Sequence, residues 1–300
     1  MDGRLAMARL VFPLTGVAIA ALVAGGCLAD DRKPYAEDDD VQPRSGPTPC
    51  SQRLRLVGAP RLGDTGSAEE IVEAAFGAER LTGVEENIEV VSGDGGEGRF
   101  LRVRYPEDSV NFGSADDETP LGGAQFYAPV GAAKASCLHY RVRFEEDFDF
   151  AKGGKLPGLY AGEAPSGGEK VSGKDGWSVR LMWRKEGEGE LYEYIYNKKG
   201  KYGLSVGRGS FTFPRGRWVD VDLEVVLNEA GRRNGEARLW IDGRPVIEQD
   251  DIVYSIEDAD HLEGGLMFST FFGGSSDSWA SPKDQHVDFA DFRFYAGDAD

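Results

Sequence analysis

Residues 176–184 read GWSVRLMWR, KEGEGE follows at 185–190, and LYEYIYN fills 191–197. Side chains of a strand alternate between its two sides. Trp177, Val179, Leu181 and Trp183 therefore share an apolar face, and Ser178, Arg180, Met182 and Arg184 share the other. The glycine-containing turn sends the chain back, and Tyr192, Tyr194 and Tyr196 line one face of the returning strand. A hairpin centred near positions 187–188, with even positions facing even positions, predicts the serine, the arginines and the tyrosines on one side of one sheet.

The same period of two recurs along the chain, at 100–105, 138–144, 218–227, 237–241, 266–272 and 287–295. In 218–227, Val219, Val221, Leu223, Val225 and Leu227 point inward, and Asp220, Asp222 and Glu224 point outward. AspGly at 242–243 is a hairpin-turn signal. Forty-one glycines and 14 prolines supply turns between many short strands. One helix is expected from Ser67, where Ser67 and Glu70 form a capping box and Ile71, Ala74, Ala75 and Phe76 follow at helical spacing. No internal repeat appears. This pattern predicts an all-β fold, an antiparallel two-sheet β-sandwich of jelly-roll type with one concave polar sheet. GGKLPGL at 153–159 reads as a glycine-rich loop that carries Lys155.

Residues 1–26 read as an export signal, with Arg4 and Arg9 ahead of an apolar run and small residues at 24–26. Those small residues precede Cys27 as in a lipobox, with Ala24 where leucine is usual, so lipidation of Cys27 and plain secretion both stand. Residues 27–49 are an acidic, proline-rich linker, and 50–296 form the folded domain. The expected destination is outside the cytoplasm, secreted or lipid-anchored at a bacterial cell envelope, as a monomer. Cys50 and Cys137 remain to pair in an oxidising compartment or to stay as two thiols. A bridge there contributes on the order of 3–4 kcal/mol.

A formal net charge of −18 excludes nucleic acid as a partner, because phosphate binding needs a basic footprint. The charge is uneven. Residues 151–217 hold thirteen basic and seven acidic side chains, a local +6 against −24 in the remainder. A basic strip on an acidic protein concentrates an anionic ligand, and tyrosines beside arginines suit a sugar polymer. An acidic polysaccharide is the partner these features favour.

In a polyuronate, the C5 proton becomes acidic once the neighbouring carboxylate is neutralised. Arg180 and Lys155 are suited to that task, as a bidentate partner and a point charge. Tyr192 and Tyr194 can divide the roles of base and acid, and Ser178 can position substrate. Arg184 and Tyr196 extend the same face as binding residues. His139, on the polar face of its strand, is either an additional binding residue or a structural histidine. No metal or other cofactor is required when protein cations cover the carboxylate. His139, His261 and His286 show no metal-ligand spacing. Trp177, Trp183, Trp218 and Trp240 are expected in the core.

GGKLPGL, GWSVRLMWR, YEY and STFFGGSSDSW at 269–279 together resemble polysaccharide lyase family 14, the alginate and glucuronan lyases. The resemblance covers about 144–295. It implies a jelly roll, β-elimination of β-linked polyuronates without an obligatory metal, and a catalytic set of Lys155, Ser178, Arg180, Tyr192 and Tyr194. Two other classes remain. A glycoside hydrolase needs two carboxylates, and the paired strands offer only Glu193, on the opposite parity. A non-catalytic module for acidic glycans needs the same sheet but not the Lys–Arg–Tyr–Tyr set.

Overall fold

The structure, a computed structural model, describes residues 47–93, 98–112, 119–259, 262–274 and 277–297. The leader with Cys27, most of the linker, and His261 lie outside the described residues. The chain begins with α1 (Cys50–Arg53), β1 (Arg55–Gly58), α2 (Ala68–Phe76), β2 (Glu79–Thr82), α3 (Val84–Asn87) and β3 (Ile88–Ser92). It continues through β4 (Arg99–Tyr105), β5 (Ala124–Pro129), β6 (Ala135–Phe144), β7 (Gly153–Gly162), β8 (Gly176–Arg184) and β9 (Gly189–Tyr194). The last elements are β10 (Leu204–Val206), β11 (Val219–Val226), β12 (Gly235–Ile241), β13 (Arg244–Ile252), β14 (Gly264–Phe272) and β15 (Gln285–Gly297).

These strands form two antiparallel sheets packed as a jelly-roll sandwich. The outer sheet runs β13-β12-β11-β6-β15-β4-β3, with β1 also on β15, and the cleft sheet runs β10-β9-β8-β7-β14-β5-β2. Alternation decides which side chains fill the space between them. Leu138, Tyr140, Val142 and Phe144 of β6 and Val219, Val221, Leu223 and Val225 of β11 are at most 1% exposed. They join one core with Trp177, Val179, Leu181 and Trp183 of β8. Each such side chain contributes roughly 1.5–3 kcal/mol through burial. The AspGly turn joins β12 to β13, with φ of 49° at Asp242 and 73° at Gly243. Ser67 and Glu70 complete the capping box of α2, and the helix buries Ile71, Val72 and Phe76. Val72 thus takes the inward place expected of Ala74, and Phe76 packs on Phe126 and Phe292.

Residues 153–159 are a strand, not a loop. β7 lies between β8 and β14 in the middle of the cleft sheet. Its glycines and proline hide a strand because neighbours crowd it. A Cβ on Gly154 would lie 2.1 Å from the Trp183 ring, and one on Gly158 would lie 2.1 Å from the Val179 carbonyl oxygen. Pro157 sits where the register with β8 shifts, between Leu156 and Gly158, a position where a bulge spares the missing N–H.

The outward carboxylates of β11 are also not all in solvent. Asp222 and Glu224 are buried, and Glu224 takes ion pairs from Arg53 and Arg238. Cys50 and Cys137 are bonded, with Cα atoms 5.9 Å apart, tying α1 to β6. Trp240 is buried beside this bridge on the outer face, and its Nε1 donates to the Pro47 carbonyl at 2.7 Å.

Candidate active site

The β8–β9 hairpin sets out the site. Its register places Ser178 opposite Tyr194 and Arg180 opposite Tyr192, so even positions do face even positions. The pivot is Glu186, in the left-handed region at φ 61°, slightly ahead of the expected centre. Lys155 enters the same face from β7, opposite Met182 of β8.

All of these but Ser178 and the pivot Glu186 line a cleft of about 660 Å3. Its floor holds Lys155, Arg180, Met182, Tyr192 and Tyr194, with Gln125 and Phe271 continuing it across the sheet. Ser166 and Gly167 of the β7–β8 loop form one wall, and Asn111, Phe112, Gly274 and Trp279 form the other. Arg184 and Tyr202 lie toward β10. Among the described residues none of the lining side chains is acidic, while Lys155, Arg180 and Arg184 are basic.

Lys155 is buried, and its Nζ donates to Met182 Sδ at 2.7 Å while standing 3.7 Å over the Tyr192 ring. Neither it nor Arg180 forms an ion pair among the described residues. Burial, with Arg180 and then Arg184 adding repulsion, drives the Lys155 amine well below its ordinary pKa. Arg180 is 2% exposed, and burial lowers its pKa too. Its Nη1 donates to Ser269 Oγ at 3.2 Å, and its Nε is buried with no partner.

The tyrosines are held by backbone. Gly203 N–H donates to the Tyr192 phenol at 3.1 Å, and Gly168 N–H donates to that of Tyr194 at 2.8 Å. Burial, then the neighbouring Tyr194, pushes the Tyr192 phenol up to about 12. Both oxygens accept from the backbone, and a hydrogen bond to Tyr194 adds to the rise at Tyr192.

The remaining predicted residues divide. Ser178 is fully buried beneath the wall, and its hydroxyl donates to the Pro165 carbonyl at 2.6 Å. It holds the β7–β8 loop and does not line the cleft. Arg184 does line it, clamped by Glu190 through Nε at 2.9 Å and through Nη2. Tyr196 lies past the end of β9, 45% exposed, with its ring against Gly173 and outside the cleft lining. His139 belongs to the other sheet and bonds Asp222 at 3.1 Å, so as a substrate-binding residue it is misplaced. Parity assigns a side chain to a face of its strand but does not say which sheet owns the strand.

Sequence reasoning missed Gln125, Met182 and Tyr202, of which only Met182 carried a signal, since it shares parity with Arg180. Ser269 and Trp279 stood in the motif at 269–279, whose loop from 275 to 279 offered a border for the groove. Glu193, the sole acid of the hairpin strands considered for hydrolysis, faces away from the cleft. Its carboxyl accepts from Gln249 Nε2 at 3.2 Å, and burial raises its pKa to about 8. Glu190 is committed to Arg184. Among the described residues the cleft therefore lacks the two carboxylates that hydrolysis needs.

The profile of the family Polysaccharide lyase 14 matches residues 94–292. Among solved structures, a PL-14 alginate lyase from Aplysia kurodai is 31% identical, with a TM-score of 0.69 over 81% of this chain and 99% of that one. An alginate lyase from Chlorella virus is 20% identical, with a TM-score of 0.65 over 81% of this chain and 100% of that one. A further alginate lyase, in complex with an alginate tetrasaccharide, is 22% identical, with a TM-score of 0.68 over 82% and 99%. The last two likenesses bear on fold alone. No curated protein matches the chain.

Proposed function

Because the chain belongs to polysaccharide lyase family 14, we propose that it cleaves a β-linked polyuronate, alginate or glucuronan, by β-elimination. One observation carries the reading: two buried basic side chains without carboxylate partners and two phenols converge on a cleft that, among the described residues, no acid lines. A uronate carboxylate is the counter-charge such a site lacks.

The roles follow from burial. Arg180 keeps its charge far above neutral pH, so it neutralises the substrate carboxylate and acidifies the C5 proton. Lys155, whose burial favours the uncharged amine, acts as the base. This departs from the sequence-based expectation that Lys155 shields the carboxylate and a tyrosine takes the proton. A phenol near 12 is a poor base at neutral pH and a better acid. As Lys155 takes the C5 proton, the C5–H bond breaks and the C4=C5 bond forms. The C4–O bond breaks, and a phenolic hydrogen of Tyr194 or Tyr192 goes to the departing oxygen. The ammonium that results is received by the Tyr192 ring face and Met182 Sδ.

The test is incubation with polymannuronate, polyguluronate and glucuronan while following ultraviolet absorbance of the 4,5-unsaturated uronate. Absorbance that grows with one of them is the expected result. Binding without absorbance on all three favours a non-catalytic glycan module. The bonded Cys50–Cys137 pair supports export through residues 1–26. The mass of the mature chain decides whether Cys27 carries lipid.

A further inference from the structure

Arg180 lies on β8, yet its guanidinium reaches across β7, where Gly158 stands opposite it, to Ser269 on β14. Ser269 Oγ in turn bonds Gln125 Oε1 of β5 at 3.0 Å. Arg180 only donates, so Ser269 Oγ accepts from it, and the single hydroxyl hydrogen of Ser269 goes to Gln125. Gln125 thus presents its carbonyl oxygen to Ser269. Its amide nitrogen, with two N–H donors, is left for the cleft that Gln125 lines.

We propose that Gln125 is a substrate-binding residue whose amide N–H groups grip the same uronate carboxylate as Arg180. The inference rests on the polyuronate lyase reading. The ligand chemistry comes from the donor set. A guanidinium and an amide nitrogen offer donors only, and an ionised carboxylate is a pure acceptor, whereas a sugar hydroxyl also seeks an acceptor. Donors fixed beforehand by Ser269 strengthen as charge grows on the carboxylate oxygens during C5 deprotonation. Gln125 therefore contributes to binding and to rate.

The experiment measures calorimetric affinity of the full chain for trimannuronate and for its carboxyl-reduced, neutral counterpart. Gln125→Met keeps the volume and removes the donors, and weakens trimannuronate binding about tenfold or more. Its affinity for the neutral trisaccharide stays within about twofold, because only the carboxylate uses the amide. Gln125→Glu puts a carboxylate beside Arg180 and weakens trimannuronate about 100-fold. If Q125E does not fold, the Q125M ratio between the two ligands decides alone. Equal weakening of both ligands by Q125M, or weakening of neither, overturns the assignment while the lyase reading stands. Failure of the unaltered protein to release unsaturated uronate from any polyuronate overturns the lyase reading and this inference with it.

Discussion

On the outer face of the outer sheet, Asp288 takes Arg102 at 2.8 Å and Arg143 at 2.8 Å, each from a flanking strand. Glu224 takes Arg53 and Arg238, and Arg141 meets Asp220 and Asp291. Trp218 and Phe100 lie beneath these guanidinium groups, 4.4 Å from Arg143 and 5.7 Å from Arg102. The cleft sheet also displays basic groups beside aromatic rings, but Lys155 and Arg180 there have no carboxylate among the described residues. Cross-strand ion pairs hold the first surface together. The second surface bears the desolvation of buried charge without a partner, which is the usual cost of a site that awaits its ligand's charge.

Substitutions on the two faces should therefore separate activity from stability. Lys155→Met removes the base and lowers kcat by about 10³–10⁴-fold. Its thermal midpoint stays level or rises, because a buried, unpaired amine is lost. Asp288→Asn does the reverse. It leaves Arg102 and Arg143 without their shared carboxylate and costs about 2–3 kcal/mol in denaturant unfolding, while turnover per folded molecule is unchanged. A stable Asp288→Asn or an unstable, active Lys155→Met breaks the contrast.

Glu193 sharpens it from the other side of β9. Its carboxyl is a proton-binding group in the fold, raised from 4.5 to about 8, so the folded state holds the proton that the unfolded state releases. Stability then falls as pH rises from about 4.5 to about 8 and levels off above that. Glu193→Gln flattens this fall in unfolding curves taken across that window. Lys155 has the opposite sign. Its amine is depressed in the fold, so its burial penalty eases as pH climbs toward the ordinary lysine value. The smallest effect belongs to Ser178→Ala, which frees the Pro165 carbonyl and loosens the cleft wall. It raises KM several-fold, about 1 kcal/mol, with kcat little changed.

The sandwich and the hairpin face were legible because a period of two is local, and Trp177 to Arg184 show it without interruption. Lys155 was legible only through the family motif. Gly154, Pro157 and Gly158 are imposed by Trp183, the Val179 carbonyl and a bulge, contacts that no window around residue 155 contains. Gln125 and Ser269 became visible once β5 and β14 paired across more than a hundred residues of chain. His139 and Tyr196 erred for different reasons: the first has the right parity in the wrong sheet, and the second continues a pattern past the point where β9 ends.

Titration of the lysine side-chain resonances by NMR bears most directly on the central claim, with Lys155→Met identifying the signal. One resonance should titrate well below 10.5 and move up when a uronate oligosaccharide fills the cleft. A Lys155 signal that titrates with the surface lysines would contradict a neutral base in the site.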